Sequence, residues 1–94
     1  MDAELHRLRG DSLCRLPRPD LDNAETSFRA ALSIAREQGT KGFELRAATS
    51  LARLWGNWRG DEARQLLAPV RDWFTEGFDT ADLKDAKALL DELP

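Results

Sequence analysis

The segment that decides the fold is 24-AETSFRAA-31, which returns 39 residues later as 63-ARQLLAPV-70. In each copy the apolar residues are spaced by four and then three positions, which places them on one face of an α-helix. A helical segment with its own small residue precedes each copy, Gly10 in the first and Ala48 in the second. A helix pair repeated at such a period predicts a helical solenoid, in which each unit buries its apolar face by stacking on a neighbour. The corresponding positions are Ala24 and Ala63, Phe28 and Leu67, and Ala31 and Val70.

Composition limits the classes of protein that this sequence can specify. Its 94 residues are enough for one small domain, and 41% hydrophobic with 33% charged residues is typical of a folded domain. No run of about 20 apolar residues is present, so we expect no membrane span. The single Cys14 indicates a reducing compartment, and we expect a cytoplasmic protein. A net charge of −3 without a block of Lys or Arg argues against a nucleic-acid partner.

Periodicity, prolines and glycines predict five helices. The first runs from about Ala3 to Arg15, and Pro17–Pro19 stop it. The second begins near Asp22, with Glu25 at capping-box spacing, and ends at Gly39 in a left-handed C-cap. In the first helix, one stripe holds Leu5, Leu8, Ser12, Arg15 and Leu16.

The last three helices follow the same logic. The third is capped by Thr40 and reaches about Trp55, and the fourth runs from Gly60 to Glu76. Pro69 lies inside the fourth helix, where we expect a bend. The fifth is capped by Thr80 and should lie back on the fourth near Val70, Trp73 and Phe74. Its apolar stripe consists of Leu83, Ala86, Leu90 and Leu93.

The expected fold is therefore all-α. We predict a right-handed antiparallel helix-pair solenoid with about two repeats, at residues 1–39 and 40–77. A C-terminal capping helix at 78–94 closes the stack.

These features resemble tetratricopeptide repeats. In that family a small residue on the first helix allows a close crossing, as Gly10 and Ala48 would here, and the second helix carries Ala, Phe and Ala. The sequence departs from the pattern in several ways: the usual aromatic residue of the first helix is His6 or Glu44, the repeats are longer than 34 residues, and the proline that usually ends a unit is absent. The resemblance implies a right-handed stack whose first helices line a partner-binding groove.

A narrower resemblance covers nearly the whole chain. The segments 3–10, 28–39, 44–55, 66–70, 73–84 and 86–90 together resemble the C-terminal end of large bacterial signalling proteins. Those proteins join an adenylate/guanylate cyclase or a DNA-binding transcriptional-regulator domain to a predicted ATPase and a repeat array. The resemblance implies that this chain corresponds to the last repeats of such an array, or to a stand-alone remnant of one. It transfers no cyclase or ATPase residue, since those residues lie outside this segment.

No residue pattern indicates catalysis, and we expect no catalytic residue, metal site or cofactor. His6 and Cys14 are eight residues apart on one helix, about 12 Å along its axis, which is too far for a nucleophile–base pair. One His and one Cys cannot form a zinc site. The carboxylates Asp79, Asp82 and Asp85 are interpreted as capping and solvated groups rather than as a metal site.

Two residue classes leave alternatives open. Trp55 and Trp73 lie on helical stripes and are predicted core residues, whereas Trp58 in a turn is unassigned. The arginines are interpreted as a solvated face, with an anion site as the alternative. They are Arg7, Arg15, Arg46 and Arg53.

The favoured function is non-catalytic protein–protein interaction with a peptide, another protein or a neighbouring domain of one polypeptide. A purely structural cap of an array and a small-molecule sensor near the tryptophans are the alternatives. If the chain is a piece of an array, its N-terminal face is bare, and we expect self-association as a two-fold homodimer. The predicted groove residues are Glu4, Arg7, Asp11 and Arg15 of the first unit and Leu45, Thr49 and Arg53 of the second.

Overall fold

A computed structural model describes residues 3–56, 59–74 and 81–93 and places five α-helices in them. Those three ranges contain no strand, which confirms the all-α class. None of the helices described there is long and apolar enough to cross a membrane. The helices are α1 (Ala3–Cys14), α2 (Leu21–Gln38), α3 (Lys41–Trp55), α4 (Gly60–Trp73) and α5 (Ala81–Glu92).

The two ends of α2 test two sequence predictions. The helix is capped by Asp20, whose carboxylate accepts a hydrogen bond from the Asn23 backbone N–H at 3.2 Å. The predicted capping box of Asp22 and Glu25 is therefore wrong, since the cap lies two residues earlier. The predicted left-handed cap at Gly39 is confirmed by its φ of 68°, a conformation that glycine adopts without a Cβ clash.

The ends of α3 and α4 differ from expectation in detail. Thr40 occupies the N-cap position of α3, but its hydroxyl donates to the Ala35 carbonyl at 3.3 Å instead of capping the helix. The prediction that α4 reaches Glu76 is wrong, because Phe74 is already extended. Pro69 lies inside α4 as predicted, and its missing N–H removes one intrahelical hydrogen bond. The predicted cap at Thr80 and the unassigned Trp58 lie outside the described residues.

The helices pack mainly in chain order, with α3 at the centre. α1 packs on α2, α2 on α3 and α3 on α4, while α3 also contacts α1 and α5. Both copies of the repeated apolar pattern lie in the core, as the sequence predicted. All six of their residues are buried, namely Ala24, Phe28, Ala31, Ala63, Leu67 and Val70.

α5 closes the other side of the core. Its predicted stripe of Leu83, Ala86, Leu90 and Leu93 is buried, and the helix lies against α3 as well as α4.

Trp55 is buried with 6% exposure, as predicted. The prediction that Trp73 belongs to the core is wrong: 56% of it is exposed, because α4 ends there and turns its last side chain outward.

The apolar stripe of α1 faces solvent. Leu5 and Leu8 are 59% and 50% exposed, and Leu16, which lies two residues beyond the end of α1, is 46% exposed. The buried residues of α1 are Ala3 and Gly10. Small residues allow the α1 backbone to approach α2 closely. A Cβ built on Gly10 would lie only 2.5 Å from Cε1 of Phe28, so the absence of a side chain makes this crossing possible.

The Gly10 crossing gives a direct test of the packing. Gly10→Leu should lower the free energy of unfolding by about 1–3 kcal/mol, because the added side chain must displace Phe28. Gly10→Ala should also destabilise. Gly42→Ala is the matched control, since a Cβ at Gly42 meets no atom within 4 Å and alanine favours a helix by up to about 1 kcal/mol. Urea denaturation measures all three, and equal stabilities of Gly10→Ala and the control would contradict the close crossing.

Candidate functional site

A network of ion pairs joins α1, α3 and α5. The Arg46 guanidinium on α3 donates from Nε to Oδ2 of Asp82 on α5 at 2.8 Å and from Nη1 to Oε2 of Glu4 on α1 at 3.3 Å. On α1, Arg7 donates to Oε1 of Glu4 and to Oδ2 of Asp11, both at 2.9 Å. One arginine therefore connects three helices that are separate in sequence. We refer to the surface that these residues share as the α1–α3–α5 face.

The arginines of this face favour the ionised form of the Glu4 carboxylate. Hydrogen bonds from Arg7 lower the pKa of Glu4 below its ordinary value of 4.5, against the opposing effect of partial burial. The pKa values of Arg7 and Arg46 are raised, chiefly by their hydrogen bonds to Glu4 and Asp82 respectively. Ion pairs at this exposure contribute little stability each, about 0–1 kcal/mol, so their main effect is to fix where the guanidinium groups lie.

Beside the network lies an open cavity of about 180 Å³. Arg53, which is exposed on α3, has no hydrogen bond or ion pair among the described residues. The neighbouring Thr49 hydroxyl donates to the Leu45 carbonyl at 2.7 Å and is thereby occupied. The cavity thus presents one arginine that is available to an anionic group. It is lined by Arg7, Arg46, Thr49, Ser50, Arg53, Asp82 and Asp85.

The predicted groove residues occupy different environments. Arg7, Thr49 and Arg53 line the cavity, and Glu4 and Asp11 hold Arg7 in place. Arg15 is exposed beyond the end of α1. Leu45 is only 1% exposed and belongs to the core, so it offers no surface to a partner in this structure.

The predicted groove lacks four residues of this site, namely Arg46, Ser50, Asp82 and Asp85. The sequence places Arg46 in a solvated face, with an anion site as the alternative, and interprets the two aspartates as capping or solvated groups. The spacing of residues 46, 49, 50 and 53 would have placed them together on one face of α3. The packing of α5 beside that face carries no signal in the local sequence.

The surroundings of Cys14 disfavour its thiolate form. Partial burial, and then the nearby charge of Asp11, raise the pKa of the Cys14 thiol, so less of it is the nucleophilic thiolate at neutral pH. Within residues 3–56, 59–74 and 81–93, no group of three His, Cys, Asp or Glu side chains is placed to hold a metal ion.

Comparison of this chain with protein-family models, with curated proteins and with solved structures finds no significant match. Its function is therefore inferred from the residues described above.

A second polar cluster surrounds the indole of Trp55, between α2 and α3. The indole Nε1–H donates to Oε1 of Glu25 at 2.6 Å, and Arg59 donates to the same oxygen at 3.3 Å. The guanidinium carbons of Arg29 and Arg59 each lie 5.3 Å from the ring centroid. The pKa of Glu25 is lowered below its ordinary value, chiefly by the hydrogen bond from the Trp55 indole and further by both arginines.

This cluster predicts a loss of stability in acid. The pKa of Glu25 is lower in the folded than in the unfolded chain, so between these two values the unfolded chain binds more protons. Glu25 contributes fully to the free energy of unfolding above its pKa in the unfolded chain, about 4.3. This contribution is lost as the pH falls through the pKa of Glu25 in the folded chain. Glu25→Gln keeps an acceptor for the indole but cannot titrate, so it should flatten the acid limb of the stability curve.

Urea unfolding between about pH 3 and 7 measures this effect. The matched control is Glu62→Gln, at an exposed position on α4 with no ion pair in the described part of the chain. If the control flattens the acid limb as much as Glu25→Gln, the indole–carboxylate bond is not the cause.

Proposed function

We propose that this chain is a non-catalytic protein–protein interaction module that binds a peptide segment along its α1–α3–α5 face. The observation that supports this is Arg53, which projects beside an open cavity without a partner among the described residues. The ion pairs of Arg7 and Arg46 fix the surroundings, so a partner would lose little side-chain entropy there. A carboxylate of the peptide would complete the site by pairing with Arg53.

The packing order supports a tetratricopeptide-like repeat architecture for this module. α5 contacts α3 and α4, just as α3 contacts α1 and α2. α5 would then take the position of the first helix of a third unit, and α1, α3 and α5 would be equivalent first helices. Equivalent helices presenting one surface are how repeat proteins form extended binding faces.

The alternatives rest on different surfaces. A structural cap of an array is favoured by the exposed leucines of α1, which offer an apolar face for a preceding repeat. A small-molecule sensor would need an enclosed apolar cavity, whereas the cavities lined by Trp55 and Trp73 are open to solvent. A purely structural cap would bind no peptide on the α1–α3–α5 face, which distinguishes it from the interaction module.

A place in a bacterial cytoplasmic signalling protein remains part of this proposal. The resemblance to cyclase-linked and regulator-linked arrays would give the module a partner domain within its own polypeptide. Sequencing the genome upstream of Met1 tests this, because a cyclase, regulator or ATPase domain in the same reading frame is expected.

Selection from a displayed random-peptide library tests the binding face. We expect enriched peptides to carry Asp or Glu and to lose about tenfold or more in affinity for Arg53→Ala, because the variant removes the guanidinium that would pair with the peptide carboxylate. Arg9→Ala is the matched control, since Arg9 is exposed on α1 and does not line the cavity. Binding that is insensitive to Arg53, or a library that yields no binder, would contradict the proposed face.

We further propose that the exposed stripe of α1 pairs with a second copy of the chain. An antiparallel two-fold arrangement would bring the leucines of the two copies together. It would also place Glu4, near the start of α1, toward Arg15 and Arg18 of the other copy, beyond the end of its α1. Both arginines are exposed and form no ion pair among the described residues. The leucines are Leu5, Leu8 and Leu16.

Sedimentation at micromolar concentration tests the dimer. The wild-type chain should sediment as a dimer, and Leu8→Glu should sediment as a monomer because a carboxylate would be buried in the contact. Ala88→Glu adds the same charge at an exposed position of α5 and should remain dimeric. A wild-type chain that sediments as a monomer would refute the pairing.

A further inference from the structure

On the other side of α3, a groove separates α2 from α4. In the described part of the chain no Cα atom of α2 lies within 8 Å of a Cα atom of α4, and Leu51 and Trp55 of α3 form the floor between them. Two open cavities, of about 330 and 280 Å³, follow each other along this gap and share Arg36 and Leu66 in their linings. The two cavities are therefore adjacent, and we call the gap that holds them the α2–α4 groove.

The α4 side of the groove is mainly apolar, and Gln65 is its polar residue. Leu66, Pro69 and Trp73 line it, and Trp73 is 56% exposed. The indole is nevertheless held in position: the Phe74 ring meets it edge-on at 5.1 Å, and the Lys41 ammonium lies 5.4 Å from its centroid. A large aromatic side chain that is exposed and already ordered is the kind of residue that dominates binding energy at interfaces.

The opposite side of the groove is basic. Arg36 and Lys41 reach the same buried carboxylate, that of Glu44, at 3.3 and 3.2 Å. Two cations therefore share one negative charge, and 53% and 37% of their side chains remain exposed. Arg29 also lines the groove but is paired with Glu25 at 3.3 Å, and Glu37 is the exposed acid of this wall. Among the described residues that line it, the end of the groove near Trp73 thus carries one net positive charge.

We propose that the α2–α4 groove binds an acidic amphipathic helix of a partner protein. One wall offers apolar contacts and the other offers cations, so a matching segment must carry apolar side chains on one face and carboxylates on another. An acidic amphipathic helix has that arrangement, and helices dock in this way into grooves between helices. A basic helix would be repelled by Arg36 and Lys41.

This site is independent of the α1–α3–α5 face. Residues 44, 51 and 55 line the α2–α4 groove, and residues 46, 50 and 53 line the cavity by Arg53. At about 100° per residue, the two sets lie on opposite sides of α3. A ligand in one site does not touch the side chains of the other, so the two can be tested separately.

The test is a titration of the ¹⁵N-labelled full chain with a synthetic peptide of about 16 residues, with Leu at helical a and d positions and Glu elsewhere. We expect the indole Nε1–H signal of Trp73 and the amide signals of the groove to shift. Trp73→Ala should weaken binding about tenfold or more. Lys41→Gln should weaken it less and reduce its salt dependence. Arg9→Ala, at an exposed position of α1 that lines none of these cavities, is the matched control and should bind like the wild type.

Two further peptides make the result decisive. Replacing Leu by Ala, or Glu by Lys, should abolish binding, since each removes the match to one wall. The proposal is overturned if the Lys peptide binds as well as the Glu peptide, if Trp73→Ala has no effect, or if the shifts map to the cavity by Arg53. Because 56% of Trp73 is exposed, its replacement should leave the fold intact, and the amide spectrum of the variant verifies this.

Discussion

The structure depends on the burial of α3 from several sides. Nine of its 15 residues are buried, and it contacts all four other helices. Such a helix needs small residues where its neighbours approach, and Ala47, Ala48 and Ala52 provide them with no more than 1% exposure each. Isolated helix pairs bury too little apolar surface to be stable, so the neighbours of α3 gain their stability from covering it.

The polar contacts of α3 orient its neighbours more than they stabilise the fold. Arg46 links α1 to α5, Glu44 links α3 to α2 through Arg36, and the Trp55 indole links α3 to Glu25 on α2. Most of these pairs are partly exposed, where an ion pair contributes about 0–1 kcal/mol. Glu44 differs because it is 5% exposed, and losing both of its cations would leave a buried carboxylate without compensation.

The central position of α3 also explains why the candidate binding surfaces lie on opposite sides of the molecule. The gap between α1 and α5 and the gap between α2 and α4 each leave one side of α3 accessible. One side faces α1 and α5 and carries arginines and hydroxyls, and the other faces α2 and α4 and has an apolar and a basic wall. A small helical chain can in this way present two chemically different surfaces while using a single core.

The sequence alone determined the all-α class, the five helices and most of the core. It did so because helix burial follows a local period, as Ala24, Phe28 and Ala31 show, and because Gly39 encodes a left-handed cap. It also determined the close crossing at Gly10. The tertiary structure alone decided that Arg46 meets Asp82, that Leu45 is buried, and that Trp73 and the leucines of α1 are exposed. These outcomes depend on which helix lies beside which, and a local pattern does not contain that information. An apolar stripe predicts a face that favours burial, but only the arrangement of the helices decides whether a neighbour covers it.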